Sequence, residues 1–354
     1  MNKNFRIPFS ACNLFTPHLF LNRFSSRLCK LLQAGLPLLI FVTSCFSIAQ
    51  AQPYPNRPIK LIIPFPPGGP TDLFGRQYAQ SMSIALNNPV VAENKGGAAG
   101  AIGSAEVKRS KPDGYTLLFG TISTHGLYNL LNSKPQYDAV KDFSHIAMIG
   151  EAPVGFAVHP SMPNTLKEFV QLVRSNPTKY QYGSAGEGTF LHIAGEQLKL
   201  ANGNLPIQHI PYRGSGQSLP ALMAGEVSMT ADTLSVLIHQ HRAGKIRILG
   251  LGSSKRFLIA PDIPTVNEAL GLKNFETMAW YVIMAPIGLP SNIMTELTIA
   301  SNKALSDPVM IEKLNSLSIQ PTVDITDTKA TDFIKHEINK LTPLIQALSI
   351  KLAE

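Results

Sequence analysis

Twice in this chain a β-rich run breaks into a glycine-rich loop and then enters a helix. The first break is Ile59-Lys-Leu-Ile-Ile-Pro-Phe-Pro-Pro-Gly-Gly-Pro-Thr-Asp72; the second, about 110 residues later, is Tyr180-Gln-Tyr-Gly-Ser-Ala-Gly-Glu-Gly-Thr-Phe-Leu-His192. This pattern narrows the fold to α/β, because each helix must start where a strand ends. It also leaves backbone N–H groups unpaired at the positive end of a helix dipole, which suits an anion. One such loop in each half of the chain points to a two-lobed clamp for a carboxylate.

The first 51 residues read as a removable leader. They carry Lys3, Arg6, Arg23, Arg27 and Lys30 and no acid, then an apolar run from Leu31 to Ala49 that ends in Ala49-Gln-Ala51. A basic stretch, an apolar stretch and a small-residue cleavage site make a secretory signal peptide, residues 1–51. Gly35 and Pro37 interrupt the run and argue against a membrane anchor. Val42-Thr-Ser-Cys45 also resembles a lipid-attachment box, so a lipoprotein is the second reading. All three cysteines, Cys12, Cys29 and Cys45, fall in this segment. The remaining 303 of the 354 residues therefore need no disulfide and are enough to build two cores. Losing five basic residues takes the formal charge from +8 to +3, which removes the compositional case for nucleic acid.

Past the leader, strand-like and helix-like segments alternate. Ile59 to Phe65 reads as a buried strand, 71–86 as a helix, Val90 to Glu93 as a strand and Tyr115 to Gly120 as a third, the order of a parallel sheet wrapped by helices. Two separate strands are predicted at 145–149 and 154–158. Further on, a helix is predicted at 219–224 and a strand at 227–231. Phe275 to Ala285 is an apolar run around Trp280. No linker separates two halves, so the chain is expected to cross between them more than once. The expected lobes are 52–151 with 275–354, and 152–274.

Each glycine loop has two readings. Gly68 and Gly69 let a ligand approach the backbone, and Ser184 and Thr189 supply neutral donors; equally, both loops fit tight strand-to-helix turns with no ligand. Gly96-Gly-Ala-Ala-Gly100 is the nearest approach to a dinucleotide fingerprint but lacks its spacing. There is no Walker A motif, and Ser184 has Tyr182 rather than glycine two residues before it, so it is no nucleophile elbow. His239 and His241 are two apart and so lie on different helix faces, a poor metal pair. His125 and His192 stand beside the loops, and Arg213 is the one cation in a glycine-flanked loop; each reads as a ligand contact or as a structural hydrogen-bonder. No catalytic set, metal or cofactor is expected.

These pieces resemble the Bug family, the extracytoplasmic solute-binding proteins of tripartite tricarboxylate transporters. The resemblance runs from Tyr54-Pro-Asn-Arg-Pro-Ile-Lys60 through Glu93-Asn94, Pro112-Asp-Gly-Tyr-Thr-Leu117, Pro211-Tyr-Arg-Gly214 and Ala221-Leu-Met-Ala-Gly225 to Pro261-Asp-Ile-Pro-Thr265 and Trp280 to Pro290. It implies a type II periplasmic-binding-protein fold: two α/β lobes, two crossing strands and a central ligand cleft. It implies a small carboxylate ligand, membrane permease partners, a monomer in the periplasm and no catalysis. One carboxyl would sit at Phe65, Pro67, Gly68, Gly69 and Thr71. Thr121, Ser123 and His125 would line the cleft floor. The second lobe would contribute Ser184, Ala185, Gly186, Gly188, Thr189, Tyr212 and Arg213, with His192 beside them as the further candidate read from the loop itself. Thr230-Ala231-Asp232 departs from the family's aromatic-before-Asp pattern, and Asp232 is kept as a ligand candidate whose role is open. A ligand-sensing adaptor for a signalling protein, or a secreted α/β enzyme, are the alternatives.

Overall fold

The computed structural model describes residues 54–322 and 327–352. The leader, its cleavage site and the Cys45 box lie outside the described residues. The first β-α-β-α-β run is as expected. Strand β1 (Ile59–Ile63) pairs in parallel with β2 (Val90–Asn94) and β3 (Thr116–Thr121). Every β1 residue except Lys60 is buried, as a strand covered on both faces requires. Helix α1 (Pro70–Leu86) joins β1 to β2, and α2 (Ala101–Lys108) joins β2 to β3. Phe74, Tyr78 and Met82 recur at helical spacing on α1 and are fully buried. Each contributes about 1.5–3 kcal/mol.

The middle of the chain repeats the arrangement. Strand β5 (Gln181–Ser184) lies between β6 (Gln208–Pro211) and β7 (Met229–Thr233), parallel to both. Helices α5 (Phe190–Ala201), α6 (Ser215–Met223) and α7 (Leu234–Arg242) follow β5, β6 and β7 directly. Helix α4 (Leu166–Ser175) precedes β5. Thr165 and Glu168 start it with a capping box, and it buries Leu166, Phe169, Val170 and Val173.

Strand β4 (Phe143–Val158) joins the two parallel sets. Its first part pairs antiparallel with β9 (Met278–Pro286) and its last five residues with β7; the last four also pair with β8 (Arg247–Leu251). The sheet order is β2-β1-β3-β9-β4-β7-β5-β6. The two strands predicted at 145–149 and 154–158 are thus one strand of 16 residues. Gly150 and Pro153 look like breakers in sequence, but the register shift between Met148 and Gly150 absorbs one as a bulge. The short strand β10 (Gln320–Pro321) packs against this bulge through Gly150 and Glu151.

Helix α3 is a single turn (Tyr128–Leu131), and α8 spans Val266–Leu270. The chain ends with α9 (Ser291–Ser306), α10 (Pro308–Ser316) and α11 (Asp327–Leu348), which return to the first set. Tyr78 and Ser301 share a 2.6 Å hydrogen bond between α1 and α9, 223 residues apart. Among the described residues no helix is long and apolar enough to cross a membrane.

Candidate functional site

A cavity opens where the two parallel sets face each other. It is walled by Phe65 to Pro67 and Gly69 to Thr71, by Thr121 to Ser123, by Ala185 and Thr189 to Leu191, by Gly214 and Ser215, by Thr233, and by Ala279 to Tyr281. The topology explains the position. Helices α1, α5, α6 and α7 each start just beyond the carboxyl end of a parallel strand, the place where open α/β sheets bind ligands. Their N-cap residues, Gly69, Thr189, Gly214 and Thr233, all line the cavity. Each terminus carries roughly half a positive charge and unpaired N–H groups. Among the described residues, no lysine, arginine or histidine lines the cavity.

The first loop is held from below. Asp72, in the first turn of α1 and 5% exposed, accepts from the N–H of Gly68 (3.0 Å), from Arg76 Nε (2.8 Å) and from Asn94 Nδ2 (2.8 Å). The same Asn94 amide donates to the Phe65 carbonyl at 3.0 Å. Gly68 has φ +84°, a conformation other residues adopt only with strain.

The floor begins at Thr121, the last residue of β3. Thr121 and Thr124 cap each other around a π-helical turn, Ile122–Leu127. Ser123 faces the opposite wall and accepts from the Phe190 N–H. His125 lies on the inner side of the turn. It is fully buried, bonded to Thr124 Oγ1 at 2.8 Å, and packed on Phe143 and Tyr137. Burial holds its pKa well below the usual 6.5.

In the second loop, Ser184 Oγ bonds His209 Nε2 at 2.7 Å and accepts from the Gly186 N–H. Thr189 Oγ1 donates to the Gly186 carbonyl and accepts from the His192 N–H, the expected N-cap geometry. His192 accepts from the Gly188 N–H at Nδ1 and stacks on His209, with ring centroids 4.0 Å apart. Burial lowers both imidazole pKa values, that of His209 to about 3, so both rings are neutral. Tyr212 packs its ring on Gly183 and donates its N–H to the Ser184 carbonyl. The Gly214 N–H bonds the Ala185 carbonyl, which ties the start of α6 to the second loop.

The cavity therefore gathers Phe65, Pro67, Gly69, Thr71, Thr121, Ser123, Ala185 and Thr189 from the residues picked out in sequence. Of the rest, Ser184 and Gly188 are buried in the second loop, Gly186 and Tyr212 are partly buried, Gly68 is exposed in the first loop, His125 and His192 pack inward, and Arg213 is exposed; none of these lines the cavity. Asp232 is wholly buried behind Thr233. Its Oδ1 accepts from the Thr233 N–H at 2.7 Å, and its Oδ2 has no partner among the described residues. Burial pushes the carboxyl up to about 7; the nearby Ser215 hydroxyl and the Thr233 N–H offset part of the rise. Ser215 Oγ is near enough to exert that pull, yet no hydrogen bond of ordinary geometry joins it to Asp232. Burial pushes the Tyr281 phenol up, and the nearby Asp232 charge adds to the rise.

Sequence reasoning missed Ser215, Thr233 and Tyr281. A glycine or threonine just after a strand was an available N-cap signal for the first two. Helix α6 begins at Ser215, not at 219, because Gly214 rather than a later residue caps it.

The model of the tripartite tricarboxylate transporter family receptor matches residues 74–350. The chain belongs to this family. A UPF0065 protein of Bordetella pertussis is 37% identical over 311 residues, 86% of this chain and 94% of the relative. The solved periplasmic binding protein BugD is 30% identical, with a TM-score of 0.80 over 84% of this chain and 99% of its own. A protein of R. palustris solved with adipate is 28% identical, with a TM-score of 0.81 over 84% and 99%. The two-lobed fold agrees with these structures, and the family is one of receptors rather than enzymes.

Proposed function

We propose that this protein captures a small organic acid in the periplasm and delivers it to the membrane subunits of a tripartite transporter. The observation that carries the reading is the convergence of four helix N-termini on a cavity whose described lining holds no charged side chain. Such a site stabilises a carboxylate through N–H and O–H donors and dipoles, without the cost of burying a cation. A neutral sugar would leave the dipoles unused. The adipate held by the R. palustris relative supports a dicarboxylate as the first class to try.

In this reading residues 1–51 direct export, and cleavage after Ala51 releases a monomer. Residues 52–151 with 275–354 form one lobe and 152–274 the other. Closure is a population shift, driven by contacts that exist only when both walls engage the ligand. The ligand contacts are the first loop (Phe65 to Thr71), Thr121, Ser123 and the second loop (Ser184 to Thr189). The permease then reads the closed form.

The test is a thermal-shift panel on the exported chain, stripped of carried-over ligand by partial unfolding. It holds mono-, di- and tricarboxylates, acidic amino acids, aromatic acids, sugars and NAD. Ligand at about 100 times its Kd adds roughly 2.7 kcal/mol. A rise with one class of acids supports the reading and names the class. A response to sugars or NAD alone overturns it.

A further inference from the structure

Behind the cavity lies a polar cluster that the clamp just described does not use. Three buried oxygens near the α6–β7 contact make no hydrogen bond among the described residues: Ser215 Oγ, Ser218 Oγ and Asp232 Oδ2. Ser215 is 2% exposed and lines the cavity at the first position of α6; Asp232 is 0% exposed and stands behind it. A buried carboxylate oxygen with no donor is costly, and so is a buried hydroxyl with no acceptor. Protonation of Asp232 removes the unmatched charge. Ser215 Oγ, already near enough to influence the carboxyl, then comes within reach as the acceptor of the Oδ2–H through a small side-chain rotation, which leaves the Ser215 hydroxyl hydrogen to a ligand in the cavity. Oδ1 keeps its bond from the Thr233 N–H.

Among the described residues, no cation contributes to the electrostatics of the Asp232 carboxyl. Strand β4 places Gly155 beside Asp232, α6 contributes Ser215, the start of α7 contributes Thr233, and β9 contributes Tyr281. Tyr281 is the titratable group among them, and burial keeps it neutral. An anionic ligand entering this cavity would therefore meet a second, like charge across low-dielectric protein.

On the carboxylate reading of the cavity, we propose that Asp232 acts as a carboxylic acid in the bound state. It donates to Ser215 Oγ, which donates to the ligand carboxylate, so capture of the acid takes up a proton from solvent. With a carboxyl that titrates near neutrality, about half a proton enters per ligand at pH 7. The site then prefers anions over ligands that bring an ammonium group, which would need Asp232 ionised.

The test is calorimetry with succinate, malate and adipate, in phosphate and in Tris at pH 7, which separates proton exchange from binding heat. The expected results are uptake of about half a proton with whichever acid binds, and affinity that weakens towards tenfold per pH unit above 7.5. Asp232→Asn, whose amide also donates to Ser215, is expected to lose the proton exchange and the pH dependence in whatever binding it retains. Binding by wild type without proton exchange, or with proton release, overturns the proposal and leaves the carboxylate clamp standing. Absence of binding to any acid across the wider panel removes both. The wild-type measurement decides the matter even if the variant does not fold.

Discussion

Ser123 Oγ accepts a hydrogen bond from the Phe190 N–H at 2.9 Å, fully buried, between the turn after β3 and the first turn of α5. The bond joins the two walls of the cavity directly. It also takes up one of the unpaired N–H groups of α5, leaving that of Leu191, which lines the cavity, without an intrahelical acceptor. In this structure Ser123 is one of the direct contacts that hold the two walls of the cavity together.

Ser123→Ala removes the acceptor and strands a buried N–H. The cost falls on the closed form, at about 1–1.5 kcal/mol. Affinity for the acid should weaken about tenfold, while the unliganded melting temperature changes little because the cores on both sides are intact. Titration calorimetry beside a thermal melt checks this. Unchanged affinity would mean that the two walls do not meet through this bond in the bound state.

Gly69→Ala separates binding from folding. Gly69 has φ −87° and ψ 173°, which alanine adopts freely. An added Cβ would lie 3.9 Å from Ser215 Cβ, an ordinary contact, but it would project across the cavity between two helix N-termini. Stability should hold or rise by up to about 1 kcal/mol through the stiffer unfolded chain. Affinity should fall by an order of magnitude or more. A variant that binds normally would place the ligand away from the α1 terminus.

Asp72→Ala tests whether the first loop is pre-shaped. Asp72 bonds Gly68, Arg76 and Asn94, and Asn94 holds the Phe65 carbonyl. Removing the carboxylate leaves these donors without their shared acceptor. A loss of about 2–3 kcal/mol in stability is expected from urea unfolding, together with weaker binding. By contrast Arg213→Ala, at an exposed side chain outside the cavity lining, should leave affinity within twofold. A large loss there would bring Arg213 into the bound state.

The first wall of the site was legible because glycine and proline announce a strand-to-helix break. The α6 and α7 termini were harder. Arg213-Gly-Ser-Gly216 reads as a loop, which put the predicted start of α6 four residues late, and Arg213 drew attention away from Ser215 because a cation is the obvious partner for an acid. His125 and His192 stood out by their position next to the loops, yet the capped turns rotate both rings inward. Tyr281 was unreadable from local pattern. An apolar run says core, and only the pairing of Thr121 with Tyr281 puts that ring at the cavity. The same holds for β4, where a bulge converts apparent breakers into a continuous crossing strand.

The stacked pair of His192 and His209 sets the acid limit of the second loop. Burial lowers both pKa values from the usual 6.5, that of His209 to about 3. As pH falls below 6.5 the unfolded chain takes up these protons first. The stabilisation is therefore complete above pH 6.5 and is lost as pH falls towards 3. Asp232 titrates in the same window with the opposite sign: its carboxyl rises from 3.8 to about 7, so its contribution is lost as pH rises. The slope of the wild-type protein alone is then ambiguous. His209→Gln keeps a hydrogen-bonding group for Ser184 and removes one of the two imidazoles, leaving Asp232 unchanged. The difference in stability between pH 7.5 and pH 5, from urea unfolding, should be smaller in the variant by on the order of 1 kcal/mol after allowance for solvent screening. An identical difference in both proteins would show that His209 carries no share of the acid sensitivity.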